Sequence, residues 1–345
     1  MNKFFSLKTK NYPKISIITP TLNSGRTINE YLESLRNQKY AGEVELIIAD
    51  GDSTDSTLAL AKKYGARIIQ NKLKTAEAGK AIGAKVATGE ILAFVDSDNI
   101  LPSQDWLEKM ITPFIDSKEI IASEPLYFTY RKEDLWLTRY FALLGMGDPL
   151  NLFIGNYDRF SFVSNKWTQL NINFVDKKEY LVLNLKRDFP TIGANGFLVK
   201  KDELMKYPIK DYLFDIDILK HLAKERAIYV AKVKVGIIHL FTGDINTFIR
   251  KQRRRIRDYL YHKSMGDRVE QVSSSRLNLG LLKFVIASLL VFPLIIQAFV
   301  GFSRKNDWVW IFHPLACWIT LVVYIYEYIR SLFKVEQFSR KSWSQ

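Results

Sequence analysis

Two carboxylates separated by a single residue, Asp96 and Asp98, are the pair in this sequence best placed to bind a metal ion. They directly follow the apolar segment at residues 91–95, which has the length and composition of a buried strand. Acids at the end of a buried strand are costly to desolvate without a partner, and two of them can converge on one divalent cation. Such a cation can bridge a diphosphate, neutralise its charge and assist the departure of a leaving group.

Polar residues end two earlier apolar segments in the same way. The segment at residues 14–20 leads into residues 21–23 (TLN), and the segment at residues 44–49 leads into residues 50–52 (DGD). If the three apolar segments are strands of one parallel sheet, their polar ends lie along the same edge. Ligands of such sheets bind at the carboxyl ends of the strands, so we expect a binding site there.

The hydrophobic periodicity of residues 14–100 predicts the elements that position these side chains. Apolar runs indicate strands, and helical spacing between them indicates helices; the strands fall at 14–20, 44–49, 66–70 and 91–95, and the helices at 27–37, 53–64 and 76–87. Strand and helix alternate four times, which predicts an α/β fold with a parallel sheet and helices on both faces. Further along, we expect a strand at 193–200, a helix at 217–224 and a strand at 228–238.

Three segments in this order resemble the family 2 glycosyltransferases, whose Rossmann-like nucleotide-binding fold is called GT-A. They are TPTLN at residues 19–23, DGDSTDST at residues 50–57 and ATGEILAFVDSD at residues 87–98. The resemblance covers roughly residues 14–255. It implies a GT-A catalytic domain that binds a nucleotide-diphosphate sugar with a divalent metal ion, Mg²⁺ or Mn²⁺.

The resemblance also implies roles for individual residues on the donor side. Asp50 would hydrogen-bond the nucleobase, Asp98 would be the direct metal ligand, and Asp96 would lie near the ribose and the metal. Asp52 departs from the family pattern, because glycine is usual at that place, and Lys80 stands where an arginine near the diphosphate is common. The implied donor-binding residues are Pro20, Thr21, Asn23, Asp50, Asp52, Lys80, Asp96, Ser97, Gln252 and Arg255.

Motifs on the acceptor side are matched more loosely. The glycine-rich segment Gly193-Ala194-Asn195-Gly196 resembles the acceptor segment of the family, where glycines let the backbone approach a sugar closely. Asp217 matches the usual general base and Asp215 falls nearby, so either could deprotonate an acceptor hydroxyl. In many relatives a histidine at the place of His239 completes the metal site or contacts the diphosphate.

The charge of the chain points to an anionic partner. The sequence has 50 basic and 36 acidic residues, a net charge of +14. A basic cluster at residues 250–276 comes just before an apolar segment, which favours a lipid surface over nucleic acid. Cys317 is the only cysteine, so an internal disulfide or a cysteine-based metal site is excluded.

The last quarter of the sequence predicts membrane attachment. Residues 277–300 and 308–333 are each long and apolar enough to cross a bilayer, and the short link between them predicts a hairpin. The predicted division is therefore a tail at 1–13, the GT-A domain at 14–255, a basic juxtamembrane segment at 256–276, the transmembrane hairpin at 277–333 and a cytoplasmic tail at 334–345. Basic flanks place the catalytic domain in the cytoplasm of a multi-pass protein of the cell membrane.

Glycine and proline interrupt the aromatic segment at residues 135–154, so it is not predicted to be a membrane-spanning helix. An interfacial helix, the wall of an acceptor groove and ordinary core are all compatible with it.

The predicted function is an inverting sugar transfer from the donor to a hydroxyl group of a lipid-linked or glycolipid acceptor. Two alternatives remain open at this point. The acceptor could be a polyprenyl phosphate, which needs no general base, or the domain could be a non-catalytic nucleotide-binding scaffold at the membrane. Replacing both acids at 215 and 217 with Asn would separate the two kinds of acceptor.

Overall fold

A computed structural model describes residues 12–186, 188–241, 243–266 and 272–336 of the chain. We call residues 12–266 the sheet domain and residues 272–336 the C-terminal helices. The strands are β1 (Ile15–Thr21), β2 (Val44–Asp50), β3 (Arg67–Gln70), β4 (Ile91–Phe94), β5 (Asn99–Ile100), β6 (Ile120–Phe128), β7 (Phe174–Asp176), β8 (Tyr180–Leu185), β9 (Phe197–Lys200) and β10 (Ile228–His239).

Helices alternate with the first strands and then take over the C-terminal quarter. They are α1 (Ile28–Arg36), α2 (Thr57–Lys63), α3 (Ala76–Val86), α4 (Trp106–Asp116), α5 (Trp136–Leu144), α6 (Leu150–Ile154), α7 (Lys201–Leu204), α8 (Asp215–Leu222), α9 (Ile245–Met265), α10 (Ser274–Leu290), α11 (Phe292–Arg304) and α12 (Phe312–Phe333), with a 3-10 helix at Trp308–Ile311.

The strands form one mixed sheet in the order β3-β2-β1-β4-β9-β6-β10-β8-β7, and β5 pairs with the end of β10. Strands β1 to β4 are parallel, as predicted, whereas β9 runs antiparallel to both of its neighbours. The first four predicted strands are confirmed to within about a residue, because uninterrupted apolar runs bounded by turn residues have few alternatives. The carboxyl ends of β1, β2 and β4 therefore meet along one edge.

Apolar side chains cover both faces of this sheet. One cluster joins α3 and α8 to the sheet through residues such as Ala81 and Leu219, and the other joins α1 and α4 through residues such as Tyr31 and Trp106. Helix α3 lies unusually close to β1, because a Cβ on Gly83 would come within 2.4 Å of Ile18. This close packing brings the middle of α3 to the edge where the strands end.

The aromatic segment at residues 135–154 forms two short buried helices, α5 and α6, which pack under the C-terminal helices. The first predicted membrane segment is broken: α10 and α11 meet at an angle of 95°. Among the described residues, one helical segment, Trp308–Phe333, is long and apolar enough to cross a membrane, and the bent pair would add a second if it were one span. The predicted two-helix hairpin is therefore not confirmed.

Candidate active site

The ends of β1 and β2 are fixed to each other by Asp50. Its carboxylate accepts hydrogen bonds from Thr21 Oγ1 at 2.7 Å, from Ser53 N at 2.8 Å and from Ser53 Oγ at 2.6 Å. The side chain is almost completely buried, so these bonds replace the water that the charge would otherwise need. Asp50 therefore holds the shape of the strand ends through its side chain.

Asn23 and Asp52 occupy tight turns next to this junction. The backbone of Asn23 has a φ of 51° and that of Asp52 a φ of 67°, both in the left-handed region. Asn23 N donates to Ser53 Oγ at 2.8 Å, and Asn23 Oδ1 accepts from Thr54 N at 2.9 Å. The positive φ of Asp52 explains why glycine suits this place; aspartate is among the side chains that tolerate it. Its carboxylate forms an exposed ion pair with Lys74 at 2.8 Å.

Lys80 is the centre of the candidate site. Its ammonium lies 2.5 Å from Asp215 Oδ2 and 3.4 Å from Asp96 Oδ1, and its side chain is only 8% exposed. It can reach this edge because α3 packs tightly on β1: a Cβ on the preceding Gly79 would lie 2.7 Å from Pro20 Cβ. One cation therefore joins the motif after β4 to the start of α8.

The charges of this cluster are strongly coupled. Burial alone would lower the pKa of Lys80, but the carboxylates of Asp215 and Asp96 raise it above its usual value. For Asp215, burial raises the pKa, and the negative charge of Asp96 adds to this, so that it stays above the usual range despite Lys80. A carboxylate with a raised pKa is a better proton acceptor than an ordinary surface aspartate.

Asp98 and His239 form a second polar group beside the first. His239 Nε2 lies 3.5 Å from Asp98 Oδ2, because β10 ends by pairing with β5 and Leu240 N donates to Asp98 O at 2.8 Å. Burial favours the neutral form of Asp98, but His239 and then Lys251 outweigh it and hold its pKa at about 2. Asp98 is therefore ionised at any physiological pH.

These donors fit a divalent cation that is shared with a ligand. Asp96 Oδ1 is buried and accepts no hydrogen bond from the described residues, so it has an unused lone pair beside Lys80. Carboxylate oxygens suit both Mn²⁺ and Mg²⁺, and imidazole is a common ligand of transition metals. Within the part of the chain that the structure describes, no group of three or more His, Cys, Asp or Glu side chains could hold a metal ion. A bound cation would need further ligands, and a diphosphate could supply them.

The glycine-rich segment at residues 193–196 lies on a buried ionic cluster. Glu124 Oε1 accepts from Gly193 N at 2.9 Å, and Arg159 Nη2 donates to the carbonyl oxygens of Ala194 at 2.7 Å and Asn195 at 3.2 Å. Glu124 Oε2 also binds Arg159 at 2.9 Å and Lys232 at 2.7 Å, and these side chains are at most 1% exposed. The cluster therefore fixes the segment through its backbone.

The same segment touches the Lys80 group. Gly193 has a φ of 140°, and a Cβ there would lie 2.4 Å from the carbonyl oxygen of Asp215. Asn195 and Gly196 also have positive φ, at 53° and 87°. Close approach to Asp215 thus depends on a glycine at position 193.

Some predicted residues do not reach this cluster. Asp217 lies in the first turn of α8 with its side chain completely enclosed, whereas Asp215 contacts Lys80. Gln252 is also completely buried, and its amide donates to Thr320 Oγ1 at 3.3 Å. Arg255 donates to the carbonyl oxygen of Gly147 at 2.9 Å. In this conformation Gln252 connects the sheet domain with α12, and Arg255 binds the loop between α5 and α6. Ser97, in contrast, remains at the strand end, where its hydroxyl donates to Ser24 Oγ at 2.9 Å.

Sequence reasoning missed three residues of the site. Lys251 packs its ammonium 3.8 Å from the centre of the Phe241 ring and acts electrostatically on Asp98; burial lowers its pKa to about 8. It was hidden in a run of basic residues. Glu124 and Arg159 were missed because their partners are distant in sequence, although an acid inside the apolar strand β6 was a usable signal.

The mixed α/β sheet has the GT-A fold. The chain superposes on a mannosyltransferase from Pyrobaculum calidifontis, solved with GDP-mannose and Mn²⁺, with a TM-score of 0.53 over 92% of this chain and 88% of that one. Only 13% of the aligned residues are identical, so this likeness shows the fold alone.

Residues 16–182, just under half of the chain, match the family described as glycosyl transferase family 2. Relatives include the poly(ribitol-phosphate) beta-N-acetylglucosaminyltransferase TarS of Staphylococcus aureus, 29% identical over 41% of this chain. Another is glycosyltransferase AglE of Haloferax volcanii, 26% identical over 40% of this chain. The matches span 23% of TarS and 47% of AglE, and the matched relatives are glycosyltransferases.

Proposed function

We propose that this protein transfers a sugar from a nucleotide-diphosphate sugar to a hydroxyl group of a membrane-associated acceptor. The observation that carries the proposal is the contact of Lys80 with both Asp96 and Asp215. Asp96 belongs to the donor motif after β4 and Asp215 to the acceptor side at α8. A transferase needs these two sides in one cleft, because the acceptor oxygen must approach the bound donor closely.

The donor side is proposed to hold the diphosphate and a divalent cation, Mg²⁺ or Mn²⁺. Asp98 would be the direct ligand, with Asp96 and His239 beside it, and the bound cation would neutralise the charge of the departing nucleoside diphosphate. Lys80 and Lys251 supply positive charge next to these acids. The nucleotide itself is proposed to lie against the ends of β1 and β2, at Pro20, Thr21, Asn23, Asp50, Asp52 and Ser97.

Asp215 is proposed as the general base. Its carboxylate is held by Lys80, its raised pKa favours proton uptake, and its backbone lies against the glycine-rich segment. It would accept the proton of the acceptor hydroxyl while that oxygen attacks the anomeric carbon on the face opposite the diphosphate. The resulting inversion rests on the resemblance to the family. Asp217, the other candidate base, is enclosed and would first have to become accessible.

The acceptor is proposed to be a lipid-linked saccharide or a glycolipid. This rests on the apolar C-terminal helices and on the net charge of +14, which both suit the surface of an anionic membrane. A cytoplasmic location of the catalytic domain, predicted from the basic flanks, is a finer proposal about the same attachment. The contacts between the C-terminal helices and the sheet domain do not favour the multi-pass hairpin that the sequence predicts.

The experiment is a screen of nucleotide sugars with full-length protein in its membranes and Mn²⁺, read out as free nucleoside diphosphate and as glycosylated lipid. Asp215→Asn should lower the rate of transfer by about 10²–10⁴-fold, because it removes the proton acceptor. Asp217→Asn is the same change two residues further along α8, and it should retain most activity. Donor binding, measured by the thermal shift that each nucleotide sugar causes, should survive in both variants.

Each other outcome rejects a defined part of the proposal. Transfer that persists in Asp215→Asn but is lost in Asp217→Asn would move the base to Asp217. Transfer that persists in the double variant would favour a polyprenyl phosphate acceptor. Undiminished turnover in Asp98→Ala would reject the metal role. Absence of nucleoside diphosphate release with every donor would favour a non-catalytic scaffold.

A further inference from the structure

The C-terminal helices carry a broad apolar surface. Large side chains point outward on α10, α11 and α12, and their exposed fractions include 66% for Leu289, 70% for Phe299 and 88% for Phe333. Apolar surface of this extent marks a site that contacts lipid or another molecule. Basic residues lie at its ends, at Arg304 and Lys334, and Lys283 lies within the outward face of α10. This combination fits an anionic lipid leaflet better than it fits a second protein chain.

The link between α11 and α12 lies directly on the sheet domain. Arg304 donates to the carbonyl oxygens of Phe162 at 2.9 Å and Val163 at 2.7 Å. Asp307 accepts a hydrogen bond from Tyr130 Oη at 2.7 Å and lies 3.4 Å from Arg139 Nε. In a spanning hairpin this link would be on the opposite side of the membrane, about 30 Å away from the sheet domain. These contacts are incompatible with that distance.

Helix α12 follows the charged helix α9 along most of its length. The rings of Phe248 and Phe312 are 5.6 Å apart near the start of α12, and Gln252 bonds Thr320 further along. Near its end, buried Glu327 accepts a hydrogen bond from Arg257 Nη2 at 3.0 Å and forms an ion pair with Arg253 Nε at 3.0 Å. If α12 crossed the hydrocarbon, α9 would have to enter it with its arginines, which is very unfavourable. One face of α12 therefore belongs to the protein throughout.

The bent pair is also unsuited to crossing. Helix α10 has 17 residues and α11 has 13, which corresponds to about 25 Å and about 20 Å. Each is shorter than the hydrocarbon core of about 30 Å, and the 95° angle between them turns the second away from the direction of the first. The break falls at Val291, which has a φ of 60°, just before Pro293 at the start of α11.

We propose that the C-terminal helices enter one leaflet of an anionic bilayer without crossing it, so that the link stays on the same side as the sheet domain. The outward apolar faces of α10, α11 and α12 contact the acyl chains, and the inward faces remain packed on the sheet domain. The inference rests on the membrane attachment proposed above and replaces the spanning hairpin with attachment to one side.

The test removes the single native cysteine and introduces one new cysteine at a time. In a Cys317→Ala background, Asn306→Cys places a thiol on the exposed part of the link, and Lys63→Cys places one on the exposed surface of the sheet domain. Right-side-out and inverted membrane vesicles from the expressing cells are treated with a membrane-impermeant maleimide, with and without detergent. The readout is the labelled fraction of each full-length variant, and it does not depend on catalytic activity.

One-sided attachment predicts that both thiols react in the same vesicle preparation and are both protected in the other. Labelling of Asn306→Cys and Lys63→Cys from opposite sides would overturn the inference and restore the spanning hairpin, while membrane attachment would stand. Protection of Asn306→Cys in both preparations would place the link inside the hydrocarbon and also overturn it. Protein that stays out of the membrane fraction would overturn the attachment itself. In that case a dimer in solution would assign the apolar surface to a second copy.

Discussion

At the scale of single residues, Lys80 decides the character of the site. It contacts Asp215, which is 135 positions away in the sequence, and it also faces Asp96. Without this ammonium group, the carboxylates of Asp96 and Asp215 would lie close together and repel each other. Breaking a buried ion pair by removing one partner is far more costly than losing a surface pair, because the remaining charge is left uncompensated.

We expect Lys80→Met to lower the free energy of unfolding by about 3–5 kcal/mol. Lys62→Met, at an exposed position of α2, should change it by less than about 0.5 kcal/mol. Urea unfolding of the full-length protein in detergent measures both. Adding Asp215→Asn to Lys80→Met should recover part of the loss, because it removes one of the two uncompensated charges. Equal unfolding midpoints for the two methionine variants would contradict this account of Lys80.

At the scale of elements, the segment at residues 193–196 connects the buried ionic cluster to Asp215 and helps to fix the position of Asp215. Glu124 and Arg159 hold its backbone, and Gly193 lies against Asp215. A buried ionic cluster seldom adds net stability over well-packed apolar residues. Its contribution here is a defined position for the segment, because every bond it makes to the segment is to backbone atoms.

Gly193→Ala should therefore impair transfer strongly. The new Cβ would lie 2.4 Å from the carbonyl oxygen of Asp215, so either the segment or Asp215 must move. Gly65→Ala is a matched control: Gly65 also has a positive φ, 74°, but a Cβ there meets open space among the described residues. The control should lose about 1–2 kcal/mol of stability with normal transfer per folded molecule. Similar turnover numbers for the two variants would disprove a positioning role for Gly193.

The sequence predicts an element well when neighbouring residues determine it, and poorly when contacts with distant residues do. The strands β1, β2 and β4 follow from apolar runs, and their polar ends locate Asp50, Asp96 and Asp98 correctly at one edge. The bend between α10 and α11 was missed because the residues on both sides of it are apolar. Hydropathy alone therefore predicts one continuous membrane-spanning segment. Pro293 was the available signal, since proline is favoured in the first turn of a new helix.

The candidate site shows the same limit. Sequence spacing could not separate Asp215 from Asp217, because both lie in the first turn of α8 and only tertiary packing decides which one faces Lys80. The family resemblance implied that Gln252 and Arg255 lie near the diphosphate, whereas in this structure Gln252 binds Thr320 of α12 and Arg255 binds Gly147. In each case the position of the side chain depends on contacts between distant segments, which local sequence patterns do not predict.

At the scale of the whole molecule, charge and apolar surface should act together on membrane binding. Phe299→Asp places a charge on the outward face of α11, whereas Leu73→Asp makes the same change at an exposed apolar residue of the sheet domain. In flotation with vesicles that contain anionic lipid, Phe299→Asp should reduce the bound fraction and Leu73→Asp should not. High salt should weaken binding only in part, because screening leaves the apolar contribution. An equal loss in both variants would contradict the assignment of the surface.

The contacts between the sheet domain and α12 have a practical consequence for producing this protein. Tyr324 donates to Asp148 at 2.6 Å, and Trp310 and Phe312 pack into the same cluster as Tyr140. A shortened gene product that stopped before residue 274 would open this cluster to water and remove Tyr324 from Asp148 and Thr320 from Gln252. We expect such a product to aggregate during purification, because part of its hydrophobic core is missing. Extraction of the complete chain in mild detergent is therefore the better route to structure determination.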